Sequence, residues 1–220
     1  MKTKLIIFDF DGTLNKPSKL SNSWARIWDK ICCKEEDERL YNLYKNKQIT
    51  YEEWAKLVIG VYRREGVSKE LINTIAKETP LINNLDKLLN ELQNRNIKVY
   101  IFSGGIKNVI ETSLGDLKNY IEHIEADNLI FDKNNIVEDI EFTKLTVEDK
   151  SFYVNELLKE YNLSPDEVLF IGNGSNDEDV YKTKVKTICF NPDDAHYENK
   201  LFWNEILISE DSLDLLKFIN

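Results

Sequence analysis

Apolar residues recur along this chain with two different periods, and the period changes near residue 80. Between about residues 20 and 80 they follow helical spacing, as in the set Leu20, Trp24, Ile27, Trp28 and Ile31. After residue 80, helical patterns alternate with short, wholly apolar runs that are typical of buried parallel strands. The pattern therefore predicts an all-helical segment set into an α/β protein.

The apolar runs also predict the strands. An alternation of strands and helices indicates a doubly wound parallel sheet, that is, a Rossmann-like core. We expect this core to comprise residues 1–16 and 81–220, and the helical segment to comprise residues 17–80. The predicted strands are 5–8, 97–102, 121–125, 129–131, 136–137, 168–171, 187–190 and 206–208, with 129–137 as a hairpin.

Composition excludes several classes of partner. The net charge of −10 argues against nucleic acid, because a phosphate polymer would be repelled by most of the surface. No apolar run approaches the roughly 18 residues of a membrane span. Three cysteines without a CxxC pair fit a reduced, cytoplasmic protein, and Cys32 and Cys33 are interpreted as packing residues of a helix. We expect a cytoplasmic protein with no nucleic-acid and no membrane partner.

Polar, glycine-containing turns follow the three strongest strands, at Asp9–Thr13, Ser103–Gly105 and Gly172–Asp177. In doubly wound sheets ligands bind at the carboxyl ends of the strands, where the strand order reverses. Asp9 and Asp11 are two residues apart, so both side chains can face one small volume. Two close carboxylates raise each other's pKa unless a cation compensates, which indicates either a metal ion or an acid–base pair.

The other two turns each have a structural interpretation beside the functional one. The Ser103 hydroxyl and the following backbone N–H groups can hold an oxyanion, or the serine can simply cap a helix. The last turn can present Asn173, Asn176 and Asp177 to a ligand, or it can be an ordinary loop whose Asp177 caps a helix.

The remaining group is Lys150, which lies near a predicted helix start, where a positive charge opposes the helix dipole. Most lysines are nevertheless surface residues. Carboxylate and amide oxygens without clustered His or Cys favour Mg²⁺ over zinc. A carboxylate nucleophile, a cation and positive charge around the phosphoryl oxygens are the requirements of phosphoryl transfer.

Taken together, these motifs resemble the haloacid dehalogenase superfamily, and within it the phosphoserine phosphatase-type branch. The first motif corresponds to Asp9–Thr13, the second to Ser103-Gly104, the third to Lys150 and the fourth to Gly172–Asp177. The resemblance covers nearly the whole chain, and it implies that residues 17–80 form a small α-helical cap domain inserted after the first strand.

The resemblance also implies a role for each site residue. Asp9 is the expected nucleophile and Asp11 the expected general acid and base. The expected Mg²⁺ ligands are the Asp9 carboxylate, the backbone carbonyl of Asp11 and Asn173, with Asp177 behind them. The residues expected to hold the phosphoryl oxygens are Ser103, Gly104, Lys150 and Asn176.

Two features depart from the family pattern. Asn173 stands where the fourth motif usually has aspartate, so the site loses one negative charge and we expect weaker metal affinity. The stretch 14–28 contains no acidic residue, whereas phosphoserine phosphatases place a glutamate shortly after the first motif to bind the substrate amine. Phosphoserine is therefore one candidate substrate. Arg26, Arg63 and Arg64 can meet an anionic substrate or remain solvated.

We therefore expect a Mg²⁺-dependent phosphatase that acts on a small phosphorylated metabolite through an aspartyl-phosphate. One alternative is a catalytically weak relative that binds a phosphorylated ligand or regulates a partner. Another is a phosphotransferase or mutase that passes the phosphoryl group to a second alcohol.

Overall fold

A seven-stranded sheet forms the centre of the molecule, in the order β4-β3-β2-β1-β5-β6-β7. The computed structural model describes residues 2–18, 20, 22–146, 149–192 and 201–220. The strands are β1 Leu5–Phe8, β2 Lys98–Ile106, β3 His123–Phe131, β4 Val137–Glu141, β5 Val168–Gly172, β6 Lys186–Phe190 and β7 Glu205–Leu207. All neighbouring pairs are parallel except β3 and β4, which form the expected antiparallel hairpin.

Seven α-helices accompany the sheet in the described part of the chain. They are α1 Ser23–Lys30, α2 Lys34–Lys45, α3 Tyr51–Arg64, α4 Lys69–Glu78, α5 Leu85–Asn94, α6 Lys107–Leu114 and α7 Lys150–Glu160. Short 3₁₀ segments at Pro165–Glu167, Ser175–Thr183 and Ser212–Phe218 complete the connections around β5 to β7. The prediction of a parallel α/β sheet with helices inserted after the first strand is confirmed.

Strand β1 lies at the point where the strand order reverses. It pairs with β2 on one side and β5 on the other, and all four of its residues are buried on both faces. From β1 the chain builds the sheet outward through β2 and β3, and later in the opposite direction through β5 and β6. The carboxyl end of β1 is therefore the place where this architecture opens a binding crevice.

Two strands are longer than the sequence pattern predicts. Strand β2 does not stop at Phe102 but continues through Ser103–Gly105 to Ile106, with a shift of register between Phe102 and Ile106. Strand β3 joins two segments that we predicted as separate strands. Both extensions arise from pairing with a neighbouring strand, which apolar periodicity along one segment does not reveal.

The prediction for the cysteines is wrong at Cys32. Helix α1 ends at Lys30, and Cys32 has a left-handed backbone (φ 55°) and an exposed side chain. Cys33 is half-buried and packs against the apolar cluster of the helical segment. No helix in the described residues has the length and apolar character needed to cross a bilayer.

The helical segment (α1 to α4) has its own apolar cluster, in which Trp24, Trp28, Trp54 and Tyr62 pack edge to face or tilted. This cluster is continuous with side chains of the α/β part, namely Ile106, Val109, Leu129, Val137 and Ile140. Two helices of this segment begin at side-chain caps, because Thr50 and Glu53 form a capping box at α3 and Ser68 caps α4.

Candidate active site

A buried lysine connects the ends of three elements. Lys150 is the first residue of α7, and its Nζ lies 2.7 Å from Asp9 Oδ1 and 2.5 Å from Asp177 Oδ1. Asp9 follows β1, and Asp177 belongs to the turn after β5. All three side chains are buried: Asp9 is 2% exposed, Asp177 1% and Lys150 5%. The two carboxylates explain why a lysine occupies a helix N-terminus, where the dipole disfavours it.

Asp177 also stabilises the turn to which it belongs. Its Oδ2 accepts hydrogen bonds from Asn173 N at 3.0 Å and Gly174 N at 3.1 Å, so the carboxylate closes the loop while Oδ1 faces Lys150. Asp177 therefore caps the start of the 3₁₀ segment Ser175–Thr183, as one of the two interpretations predicted, and it also contacts Lys150.

Burial dominates the electrostatics of Asp9. Desolvation raises the pKa of Asp9 to about 7, against the opposing effect of Lys150 and with a further increase from Asp177. The pKa of Lys150 is raised, because the two carboxylates outweigh the burial that would lower it. Two carboxylates around one ammonium leave a net negative charge in a dry site, and a bound cation would offset that charge.

Asp11 lies apart from this triad and contacts the helical segment. Its Oδ1 accepts from Asn15 Nδ2 at 3.1 Å, and its Oδ2 accepts from both Ser23 N and Ser23 Oγ at 3.2 Å. Burial raises the pKa of Asp11 to about 6, although the Ser23 hydrogen bonds and the charge of Arg26 lower it. A carboxyl group with a pKa near neutral pH is suited to giving and taking protons.

Sequence reasoning missed Asn15 and Ser23. Asn15 also accepts from Gly12 N at 2.6 Å, and Ser23 Oγ also accepts from Ile106 N at 2.9 Å. Asn22 caps α1 and so predicts a helix start next to Ser23. No local pattern, however, shows that this turn of helix faces Asp11, because that contact depends on how α1 packs on β2.

Two glycines leave room for site side chains. A Cβ on Gly12, which has a φ of 83°, would overlap the Asn173 amide, and a Cβ on Gly105 would overlap the Asp11 carboxylate. The extension of β2 through Ser103–Gly105 therefore passes close behind Asp11, where only a residue without a side chain fits.

The four residues predicted to bind phosphate lie together. A cleft of about 280 Å³ is lined by all four, namely Ser103, Gly104, Lys150 and Asn176. Ser103 is buried and its Oγ accepts from Gly105 N at 3.1 Å, which aims the hydroxyl along the bulged strand. Trp24 Nε1 of α1 donates to the carbonyl of Gly104 at 3.0 Å and so fixes this strand against the helical segment.

The helical segment and β3 also contribute residues to the lining of this cleft. Tyr44 and Tyr51 contribute aromatic rings, and Tyr51 Oη donates to Asp127 Oδ2 at 3.1 Å. Thr143 N donates to Asp127 Oδ1 at 2.8 Å. Neither Tyr51 nor Asp127 was singled out in the sequence, and the register that pairs Asp127 with Ile106 puts it beside the bulge of β2.

Of the three arginines considered for an anionic substrate, two are engaged elsewhere on the surface. Arg63 contacts Glu138 at 3.9 Å, and Arg64 contacts Glu36 at 2.6 Å and Glu65 at 2.8 Å. Arg26 is half-buried near Asp11, and its Nε is buried without a hydrogen-bond partner among the described residues.

The donors predicted for Mg²⁺ are compatible with that ion. Asp9 and Asp177 supply carboxylates, Asp11 supplies its backbone carbonyl, and Asn173 supplies an amide oxygen that also accepts from Thr13 Oγ1 at 3.4 Å. Among the described residues, no three His, Cys, Asp or Glu side chains are grouped as a metal site, so the set depends on the amide and on the Asp11 backbone carbonyl. All the donors are hard oxygens, which suit Mg²⁺, and the excess negative charge favours a cation.

Comparison with known proteins gives a consistent result. A family model described as "haloacid dehalogenase-like hydrolase" matches residues 3–180. Phosphoserine phosphatase of Wolinella succinogenes is 23% identical over 193 residues, covering 85% of this chain and 87% of that protein. Phosphoserine phosphatase of Lactococcus lactis is 28% identical over 191 residues, covering 84% and 82%.

Solved structures share the fold at low sequence identity. A phosphoserine phosphatase in apo form superposes with a TM-score of 0.78 at 20% identity, covering 100% of both chains. A HAD family hydrolase from Salmonella enterica serovar Typhi superposes with a TM-score of 0.82 at 15% identity, covering 100% of this chain and 72% of the other. Because this family model matches residues 3–180, most of the chain, the chain belongs to the haloacid dehalogenase-like hydrolases.

Proposed function

We propose that this protein is a Mg²⁺-dependent phosphatase that hydrolyses a small phosphorylated metabolite through an aspartyl-phosphate on Asp9. The observation that carries the proposal is the buried Lys150, which bridges Asp9 and Asp177 beside a cleft lined by Ser103 and Asn176. A nucleophilic carboxylate, a fixed positive charge and neutral hydrogen-bond donors are thereby gathered at one strand end, as phosphoryl transfer requires.

The reaction has two steps, both served by the aspartate pair. In the first step an Asp9 oxygen bonds to phosphorus as the bond to the ester oxygen breaks, and protonated Asp11 gives its proton to that departing alcohol. In the second step Asp11, now ionised, takes a proton from a water molecule that attacks phosphorus. Phosphate leaves and Asp9 is regenerated. A pKa of about 6 for Asp11 suits both proton transfers near neutral pH.

The remaining residues hold the phosphoryl group. Lys150 and the side chains of Ser103 and Asn176, with the Gly104 N–H, would bind the equatorial oxygens. Mg²⁺ would be held by Asp9, the Asp11 carbonyl and Asn173, with Asp177 behind, and would supply positive charge against the phosphoryl oxygens. Ser23 and Asn15 orient Asp11 through the contacts already described.

Residues 17–80 are proposed to act as a cap over a core formed by residues 1–16 and 81–220. Tyr44 and Tyr51 of the helical segment line the same cleft as Ser103, which supports this division. The proposed compartment is the cytoplasm, which agrees with the free thiols of Cys32, Cys33 and Cys189.

Phosphoserine is one candidate substrate, as in the named relatives, but the stretch 14–28 lacks the acidic residue expected to bind its amine. The substrate assignment therefore depends on the other residues that line the cleft.

The test is hydrolysis of a generic aryl phosphate with millimolar Mg²⁺ and then with EDTA. We expect turnover that disappears with the chelator and that is absent in Asp9→Asn. In Asp11→Asn we expect one burst of the phenol per enzyme followed by slow turnover, because aryl leaving groups need no proton while the phosphoenzyme needs the base. A wild-type protein that binds phosphate esters without hydrolysing them would favour the alternative of a binding protein.

A second measurement separates hydrolysis from transfer. Product analysis in the presence of an added alcohol should yield inorganic phosphate. Accumulation of a new phosphate ester would instead identify a phosphotransferase or mutase.

A further inference from the structure

A second cavity adjoins the cleft that contains Ser103 and Lys150. It is formed where α2 ends and α3 begins, and its volume is about 370 Å³, against about 280 Å³ for the cleft. We call it the α2–α3 cavity, and its lining residues are Tyr44, Lys47, Gln48, Ile49, Thr50 and Glu53. In the described part of the chain, Tyr44 is the only residue that lines both cavities, so its side chain lies at the boundary between them.

The two tyrosines that line the cleft are held differently. Tyr51 Oη donates to Asp127 Oδ2 at 3.1 Å, and this bond fixes the Tyr51 ring. Tyr44 is 37% exposed, and within the described ranges its hydroxyl makes no hydrogen bond. The ring of Tyr44 contacts the rings of Tyr51 and Trp54, in each case with centroids 5.9 Å apart. Loss of the Tyr44 side chain would therefore remove a barrier without leaving a polar partner unpaired.

Helix α2, which carries Tyr44, contributes little to the apolar core. Leu40 is the only one of its twelve residues that is buried. Partly exposed positions of this kind usually tolerate substitution at a small cost in stability. The protein can therefore be tested with the Tyr44 side chain truncated.

Space limits what the cleft can hold. A volume of about 280 Å³ lies at the lower limit of small-molecule sites, and the phosphoryl group proposed to bind Ser103 and Lys150 takes up part of it. The alcohol part of a substrate must therefore be short unless its chain can pass Tyr44. Joined to the α2–α3 cavity, the cleft would lie well within the usual range of such sites.

In an inference that rests on the proposed function, we propose that Tyr44 sets the upper size limit of the alcohol in the phosphate ester. Its ring keeps the chain of the substrate out of the α2–α3 cavity, so phosphate esters of short alcohols are the substrates. Because this barrier is a single side chain, truncation of Tyr44 extends the substrate site into the α2–α3 cavity. Tyr44 acts by excluding longer esters and takes no part in the transfer of the phosphoryl group.

The test compares two alkyl phosphates on the wild-type protein with Mg²⁺. Propyl and hexyl phosphate release alcohols of nearly equal basicity, so the ratio of their kcat/KM values reports on the space for the chain and not on bond breaking. We expect kcat/KM to be lower for hexyl phosphate by about tenfold or more, because a methylene that a pocket cannot hold already costs about this factor. A wild-type kcat/KM that is equal for the two esters, or higher for hexyl phosphate, would overturn the proposal.

Substitutions of Tyr44 locate the limit. In Tyr44→Ala we expect kcat/KM for hexyl phosphate to rise by about tenfold, so that it reaches at least the value for propyl phosphate. Tyr44→Phe keeps the ring and loses only the unbonded hydroxyl, so it should retain the wild-type ratio. Tyr44→Leu should lie between these two, and it takes the place of Tyr44→Ala if that variant does not fold. A kcat/KM for hexyl phosphate that stays at the wild-type value in the truncated variant would contradict the proposal.

Leu57→Ala is the matched control. Leu57 is a large apolar residue of α3 that is exposed to a similar extent, and it lines neither cavity. This variant should keep the wild-type ratio of the two esters. A rise as large as that in Tyr44→Ala would mean that general loosening of the helical segment, and not the loss of the Tyr44 ring, admits the longer chain.

Binding gives a readout that is independent of turnover. Hexylphosphonate is not hydrolysed, and we expect its inhibition constant against the aryl ester to fall by about tenfold in Tyr44→Ala, because the added methylenes gain an apolar surface to bury against. The inhibition constant of propylphosphonate should change much less. Equal changes for the two phosphonates would contradict the size limit.

The outcomes also separate this proposal from the one on which it rests. Turnover of the aryl ester together with equal kcat/KM for propyl and hexyl phosphate contradicts the size limit and leaves the phosphatase intact. Absence of turnover for every ester, the aryl ester included, contradicts both.

Discussion

Gly105 lies where strand β2 passes behind Asp11, and the close approach leaves it little freedom to change. Its missing side chain leaves the space that the carboxylate of Asp11 and the hydroxyl of Ser23 occupy. The position of the Asp11 carboxylate therefore depends partly on Gly105, which has no side chain to bond with it.

Gly105→Ala should lower kcat on an aryl phosphate by about 10²-fold, since displacement of a catalytic group by about 1 Å has this cost. The matched control is Gly60→Ala in α3, where a Cβ would meet no atom within 4 Å. The control should keep its activity and gain about 0.5–1 kcal/mol in the free energy of unfolding. Full activity of Gly105→Ala would contradict the close approach.

Asn173→Asp should lower the Mg²⁺ concentration needed for half-maximal activity. The substitution restores a carboxylate to the proposed ligand set, and carboxylates bind Mg²⁺ more strongly than amides do. The measurement is a Mg²⁺ activation curve, with Asn134→Asp in the exposed hairpin turn as a control of equal charge change. An unchanged curve would argue against Asn173 as a ligand.

Local sequence patterns identify only some of the site residues. Asp9, Lys150 and Asp177 are identified because each follows or begins a recognisable element, and the structure brings them into contact. Ser23 and Asp127 are not, because their importance comes from packing between segments that are far apart in the chain.

Among the elements, β1 and β5 are predictable because each is an uninterrupted apolar run, whereas the full lengths of β2 and β3 are not. Their extensions depend on each other, since Ile106 finds its partner in Asp127 after a shift of register. The same mutual extension puts Ser103 and Asp127 into one cleft, so the part of the fold that sequence reasoning misses is also the part that shapes the site.

The 3₁₀ segment before β5 is clamped to the start of β1 by one carboxylate. Glu167 Oε1 lies 2.6 Å from Lys4 Nζ, and its Oε2 accepts from Ser164 N at 2.9 Å. The hydrogen bonds from Lys4 and Ser164 lower the pKa of Glu167 to about 2 from an ordinary value of 4.5. A carboxyl whose pKa is lower in the folded protein stabilises the fold above its ordinary pKa.

We therefore expect Glu167→Gln to lower Tm at pH 7, and the difference from wild type to shrink as the pH falls from about 4.5 towards about 2. Thermal unfolding followed by circular dichroism across this range gives the measurement. Glu160→Gln, an exposed carboxylate of α7, should show no such trend. A difference that is constant with pH would mean that the charge of Glu167 contributes nothing.

At the scale of the whole molecule, the helical segment and the α/β part share an apolar cluster. Trp24, Ile27 and Val58 pack in the same cluster as Val109 and Leu129. Shared burial of this kind couples the unfolding of two segments, even though the sequence pattern separates them.

Ile75→Ala in α4 should lower the free energy of unfolding by about 2–5 kcal/mol, because Ile75 is fully buried in this cluster. We expect urea unfolding to remain a single transition. Tryptophan fluorescence reports mainly on the helical segment, where Trp24, Trp28 and Trp54 lie, and circular dichroism reports on all elements. Fluorescence that changes at lower urea than circular dichroism would show that the helical segment unfolds independently.

Ser23 of the helical segment bridges two residues of the α/β part. Its hydroxyl joins the amide of Ile106 to the carboxylate of Asp11, so α1 contacts the proposed acid and base directly. Outward movement of α1 would remove both Ser23 hydrogen bonds from that carboxylate and leave the bond from Asn15. The orientation that the proposed proton transfers require therefore depends on how α1 packs against β2.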